Sequence, residues 1–273
     1  MGLFSLFEKD TVYFPGHYSL AFLNPVVNNY KKILKSVGIK FSVIEQGIDS
    51  GGLLIEAGYD KQARKLAKEN FEYFKSQGIK KIIVSDPFCY KTFKIDYEEM
   101  LPNWDIKVEF ITDTILQALE TSKKEIFAFF KESFYYYDSC YLSRYSNFYD
   151  SPRQLFSKMG LRLVDLNIPL EDVLCCGSCG NLPLYDEELA NQLANNFMQM
   201  FKEKRLKNLI TADPRAYMHL VLNKFNSNDK ENWPELLELS EVLCDSLSIK
   251  KETPVDLEEL EKELLNKDKI LNA

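Results

Sequence analysis

The residues best suited to chemistry lie in Leu174-Cys175-Cys176-Gly177-Ser178-Cys179-Gly180, where three of the chain's six cysteines fall within five positions. Thiolates crowded like this stay protonated or oxidise unless a metal neutralises them. The glycines free the backbone to curl and to turn amides toward sulfur. Cys176 and Cys179 have CxxC spacing, which suits a metal or iron–sulfur centre, and also a redox disulfide. Plain buried thiols are the third reading.

The elements around this loop alternate between extended and helical patterns. Thr11 to Phe14 reads as a strand, Val26 to Val37 as a helix stopped by Gly38, and Phe41 to Ile44 as a strand. An amphipathic helix runs from Asp60 to Gln77, with Ala63, Leu66, Ala67, Phe71 and Phe74 on one face. Lys81 to Val84 is a strand that meets Asp86-Pro87, a helix cap followed by proline at the first helical position. Val108 to Ile111 and Thr112 to Leu119 complete a βα series that predicts an α/β fold with mainly parallel sheets.

The pattern then recurs. Tyr135-Tyr136-Tyr137 leads to Cys140 as Tyr13-Phe14 leads to His17. Arg153 to Met159 is helical, Leu161 to Leu166 extended, Glu187 to Lys204 an amphipathic helix, and Asn208 to Thr211 a strand running into Asp213-Pro214. Leu236 to Leu247 reads as a helix. The pairs His17/Cys140, Asp49/Cys175 and Asp86/Asp213 are 123, 126 and 127 residues apart, a steady offset that indicates internal duplication. The expected organisation is a first α/β domain over 1–122, a second over 123–251, and a C-terminal amphipathic helix within 252–273. That helix carries Leu257, Leu260, Leu264 and Leu265 among Glu and Lys. The apolar lead-in Met1 to Lys9 reads as a staple onto the first domain, or as a contact with a partner or a membrane surface.

Charge and composition exclude several classes. With 34 basic and 41 acidic residues the formal charge is −7, against sequence-independent nucleic-acid binding. No signal peptide and no apolar run of transmembrane length are seen, so the expected compartment is the cytoplasm. Six cysteines with an adjacent pair, in 273 residues, suit metal chemistry better than a secreted disulfide frame. There is no GxGxxG, P-loop or HExxH, and no catalytic constellation is assigned.

In the second half Cys140 is followed after 34 residues by Cys175-Cys176, and after 36 more by Asp213-Pro-Arg-Ala216. This resembles the cysteine-rich CCG domain, built on a leading Cys, a CysCys pair and a closing CysxxCys at similar intervals. The domain occurs in pairs in the B-type component of heterodisulfide reductase, the iron–sulfur subunit of glycolate oxidase, and lactate-utilisation iron–sulfur proteins. In the heterodisulfide reductase component each half's five cysteines hold a non-cubane four-iron cluster. The resemblance runs from Tyr13 to about Leu247, with local support in Tyr13-Phe-Pro-Gly16, Glu56-Ala-Gly58, Asp138-Ser-Cys-Tyr-Leu142 and Pro152-Arg153. The chain departs from the pattern in both halves. His17, Asp49-Ser50 and Asp86 stand in ligand positions of the first half, leaving only Cys89 there. Asp213 and Ala216 replace the closing pair of the second, and Cys179 is extra.

The resemblance therefore implies one centre, in the second half, held by Cys140, Cys175, Cys176 and Cys179. Four thiolates suit a [4Fe–4S] or [2Fe–2S] cluster, or a tetrahedral zinc. Asp213 is either a further oxygen ligand or a helix cap. His17, Asp49, Asp86 and Cys89 are vestigial positions that either hold a hard ion or serve as cap, turn and packing residues. The implied function is an iron–sulfur electron-transfer subunit of a heterodisulfide-reductase-like oxidoreductase complex, working with a flavin- or iron–sulfur-containing partner subunit. The alternative is a non-enzymatic scaffold or assembly protein with a structural zinc or an empty cysteine pocket.

Overall fold

The computed structural model describes residues 10–44, 48–122, 124–126, 130, 132–165 and 169–252. In the first half, strands β1 (Thr11–Phe14), β2 (Ser42–Val43), β3 (Lys81–Val84) and β4 (Lys107–Phe110) form one sheet in the order β2-β1-β3-β4. In the second, β5 (Ser133–Tyr137), β6 (Arg162–Leu163), β7 (Asn208–Thr211) and β8 (Glu235–Glu238) repeat it as β6-β5-β7-β8. Every pairing is parallel. The fold is α/β, with two tandem halves of one topology.

Parallel neighbours need crossovers, and helices supply them by covering the sheet faces. That is why β1 and β3 read as short unbroken apolar runs and are buried after their first residue. The helix Asp60–Ser76 turns Ala63, Ala67 and Phe74 inward, and its counterpart Glu187–Glu203 does the same with Ala190, Ala194, Phe197 and Phe201. A larger apolar core draws residues from both halves, from Val12 and Ile83 to Tyr217 and Leu243. The helix Asn24–Ser36 packs on the helix Leu239–Ser246 across that seam. There the Tyr30 hydroxyl donates to Glu238 Oε1 at 2.9 Å.

One expectation is corrected. Leu236 to Leu247 is not a single helix: Glu235–Glu238 pairs with β7, and the helix begins at Leu239. Glu238 decides the boundary by accepting the Ser240 amide at 2.6 Å, while Glu241 accepts the Glu238 amide at 3.1 Å. This is a capping box with glutamate at the cap instead of the usual Ser or Thr, so apolar spacing alone hides it. The apolar lead-in and the helix expected over Leu257 to Leu265 lie outside the described residues.

Ligand-bearing loops in parallel sheets sit beyond the carboxyl ends of the strands. His17 follows β1, Asp86 and Cys89 follow β3, Cys140 follows β5, and Asp213 follows β7. The topology thus sends these candidate residues of each half to one edge of its sheet.

Candidate metal centre

Three of the four expected thiols come together: the sulfurs of Cys140, Cys175 and Cys179 lie within 4.8 Å of one another. Cys140 is buried, and the other two are partly exposed. The neighbouring sulfurs of Cys140 and Cys179 hold the Cys175 thiol well below the usual thiol range. The contact with Cys175 pushes the Cys140 thiol the other way, upward.

Donors surround these sulfurs. Arg144 Nη2 donates to Cys140 Sγ at 2.6 Å, and Nη1 to the Val173 carbonyl at 2.6 Å. The Gly177 amide donates to Cys175 Sγ at 3.4 Å. Gly177 has φ 91°, and a Cβ there would come 2.4 Å from the Ala190 carbonyl oxygen. Only glycine fits, because the left-handed backbone and the close approach both exclude a side chain. A cation and an amide aimed at three gathered thiolates fit a negatively charged sulfur-rich group such as an iron–sulfur cluster.

Cys176 lies elsewhere. It is fully buried in a second apolar core with Tyr137, Phe197 and Leu209, and its sulfur sits 3.3 Å from Ser178 Oγ. Burial pushes its thiol up to about 12. Adjacent residues in a tight loop point to different sides, so one of the pair faces the cluster and its neighbour the core.

The first half contributes a brace. Glu56 Oε1 accepts the Tyr141 hydroxyl at 2.7 Å, the hydroxyl accepts the Gly180 amide at 2.8 Å, and Asn181 Nδ2 donates to Glu56 Oε2 at 3.3 Å. Sequence reasoning does not single out Arg144, Tyr141 or Glu56 as site residues. The one visible signal is an arginine four residues beyond the leading cysteine.

The remaining candidates serve local structure. Asp213 Oδ1 accepts the Arg215 and Ala216 amides at 2.9 and 3.1 Å, and its other oxygen accepts the Ser139 hydroxyl. Asp86 Oδ1 likewise accepts the Phe88 amide at 2.9 Å and the Cys89 amide at 3.4 Å. Both are helix caps, and burial raises both carboxyls, Asp213 to about 6. His17 Nδ1 lies 3.2 Å from Asp49 Oδ2, which raises the histidine and lowers the aspartate. Cys89 is buried, and its thiol is pushed up by that burial. Among the described residues these four first-half positions do not gather into a ligand group.

The cysteine-rich CCG domain model matches residues 11–94 and again residues 134–221. The chain belongs to the CCG cysteine-rich domain family. It carries two tandem copies, as the repeated sheet topology shows. Of the curated relatives, the D-type component of the dihydromethanophenazine:CoB–CoM heterodisulfide reductase of Methanosarcina mazei is 30% identical over 76% of this chain and 50% of its own length. The "Probable iron-sulfur-binding oxidoreductase FadF" of Bacillus subtilis is 28% identical over 60% of this chain and 23% of its own length. The EtfAB:quinone oxidoreductase of Syntrophomonas wolfei is 27% identical over 58% of this chain and 22% of its own length. This CCG chain therefore spans between 22% and 50% of the length of these relatives. A crystal structure of a hypothetical protein from Helicobacter pylori shares the fold, with TM-score 0.65 at 12% identity over 91% of this chain and 52% of that one. Among the described residues no helix is long and apolar enough to cross a membrane.

Proposed function

We propose that the chain is an iron–sulfur electron-transfer subunit of an oxidoreductase complex related to heterodisulfide reductase, with one centre, in the second half. The observation that carries this reading is the convergence of Cys140, Cys175 and Cys179 under Arg144 and the Gly177 amide. Cys140, Cys175 and Cys179 would hold the cluster. A [2Fe–2S] or [4Fe–4S] cluster takes four protein ligands, so the fourth is Cys176 turned out of the core, or a ligand from outside the triad. The bound cluster would supply reversible one-electron acceptance. Arg144 and the Gly177 amide offset negative charge on sulfur, the Tyr137 hydroxyl lies 4.0 Å from Cys140 Sγ, and Glu56 holds the loop in register. The names of the matched relatives, iron–sulfur-binding and quinone oxidoreductases among them, agree with this chemistry.

A relay of single electrons needs a donor and an acceptor. Large apolar side chains lie exposed near the cysteine loop, Leu184 at 63% and Tyr185 at 78%, and Tyr185 shares a cleft with the exposed Leu53 and Tyr59. An exposed apolar patch of this kind marks a protein contact. A flavin- or iron–sulfur-containing partner docking here, in the cytoplasm, would bring its redox group to the centre. The test is anaerobic purification followed by metal analysis and reduction with dithionite. The reading expects brown protein with iron and matching sulfide whose visible absorption bleaches on reduction. Colourless protein with one zinc and no sulfide would instead support the scaffold alternative.

A further inference from the structure

A pocket of about 230 Å³ opens beside the cysteine loop, between elements of the two halves. Phe22, Leu53, Leu184 and Leu222 give it apolar walls, and Ser178 and Asn181 bring the loop itself to its edge. One arginine lines it. The Arg215 guanidinium is sandwiched between two aromatic rings, 4.9 Å from the Tyr18 centroid and 4.8 Å from that of Phe88. Its Nη1 donates to Asn181 Oδ1 at 3.1 Å, while Nε is buried with no partner. Among the described residues no carboxylate reaches Arg215 at ion-pair distance.

The acids nearby hydrogen-bond to other groups: Asp49 pairs with His17, Asp213 caps its helix, and Asp86 caps its helix through Oδ1 while its Oδ2 is buried without a hydrogen-bond partner. The guanidinium makes no direct ion pair among the described residues, and its buried Nε has lost hydration without gaining a hydrogen bond, although Asp86 and Asp213 act on it through space. The planar fork of arginine matches a carboxylate, and the aromatic sandwich fixes that fork in place before any ligand arrives. The apolar walls call for an apolar body attached to the charge. Three aspartates in the surroundings disfavour a second negative charge, which separates a monocarboxylate from a phosphate.

We propose that this pocket binds a small organic monocarboxylate with an apolar body, Arg215 acting as its counter-ion. The site reuses the first half's vestigial ligand positions, His17, Asp49 and Cys89, as pocket lining. It stands apart from the cluster assignment, since none of the gathered cysteines lines it.

The experiment is isothermal titration calorimetry of the anaerobically purified full chain with benzoate and hexanoate, against benzamide and inorganic phosphate. Saturable one-to-one binding of at least one carboxylate, with weaker binding of benzamide and phosphate, is expected. Arg215→Gln should weaken carboxylate binding about ten- to a hundredfold, the loss of a hydrogen bond to a charged group. Ala21→Trp, at an exposed position of the lining, should block binding by filling the mouth while leaving Arg215 in place. This second variant keeps the test open if the arginine variant fails to fold. Iron and sulfide content measured alongside should not follow ligand binding. Absence of saturable binding by both carboxylates at millimolar concentration would overturn the proposal. So would benzamide or phosphate binding as tightly as benzoate, or carboxylate binding undiminished in either folded variant.

Discussion

The Glu56 carboxylate and the Tyr141 hydroxyl, 85 residues apart in the chain, meet at 2.7 Å. The pair joins the first half to the loop that holds Cys179, because the same hydroxyl accepts the Gly180 amide. The half whose ligand positions have lost most of their cysteines thus still positions the half that kept them.

Glu56→Ala should loosen that loop. Removing this exposed hydrogen-bond acceptor lowers stability by about 1 kcal/mol at most, read from the urea midpoint. Cluster loss on exposure to air should accelerate. An unchanged midpoint and unchanged loss rate would show that the brace does not hold the loop.

Arg144→Met should make the reduction potential more negative. A cation 2.6 Å from Cys140 Sγ favours the extra negative charge of the reduced state, and hydrogen bonds to sulfur act in the same direction. A shift of about 60 mV corresponds to about 1.4 kcal/mol for one electron. Potentiometric titration followed by visible absorption measures it, and a shift toward positive values would contradict the electrostatic role.

Much of this architecture is legible in the sequence, for physical reasons that differ by element. Parallel strands buried on both faces leave apolar runs such as Lys81-Ile-Ile-Val84, and the long amphipathic helices leave a 3.6-residue period. Asp86-Pro87 and Asp213-Pro214 announce their helix starts because capping uses neighbouring residues. Tertiary placements are not legible. Nothing local distinguishes Cys175, which faces the triad, from Cys176, which faces the core. An arginine such as Arg215 is ordinarily solvent-exposed, yet Tyr18 from the other half helps to enclose it. Glu238 is hidden for the same reason: its partner Tyr30 lies 208 residues away.

Stability should fall as pH rises through neutrality, in part because of Glu238. Burial raises this carboxyl from 4.5 to about 7, so the fold favours its neutral form. The stabilisation is complete below the unfolded value and is lost as pH rises through the folded one. Asp213, raised from 3.8 to about 6, acts in the same sense over a lower window. Thermal melts of Glu238→Gln and the parent between about pH 5 and 8 test this. The parent should lose stability relative to the variant as pH rises, and parallel curves would contradict the assignment.

Gly177→Ala should disable the loop without unfolding the distant sheet. Its positive φ, and the Ala190 carbonyl oxygen that a Cβ would meet at 2.4 Å, leave no room for a side chain. Backbone strain of about 1–3 kcal/mol is expected, concentrated at the cysteines. Iron content should fall while the far-ultraviolet circular dichroism is retained. Full iron occupancy in the variant would show that the loop geometry is not needed.

The central claim is that Cys140, Cys175 and Cys179 hold one iron–sulfur centre. Iron and acid-labile sulfide, measured per chain in anaerobically made Cys175→Ser, Cys176→Ser and Cys89→Ser proteins, test it most directly. The account predicts loss of both elements in Cys175→Ser and retention in Cys89→Ser. Cys176→Ser separates a core role, with iron retained, from service as the fourth ligand, with iron lost. Iron and sulfide at parent levels in Cys175→Ser, or lost equally in Cys89→Ser, would contradict a centre built on that triad.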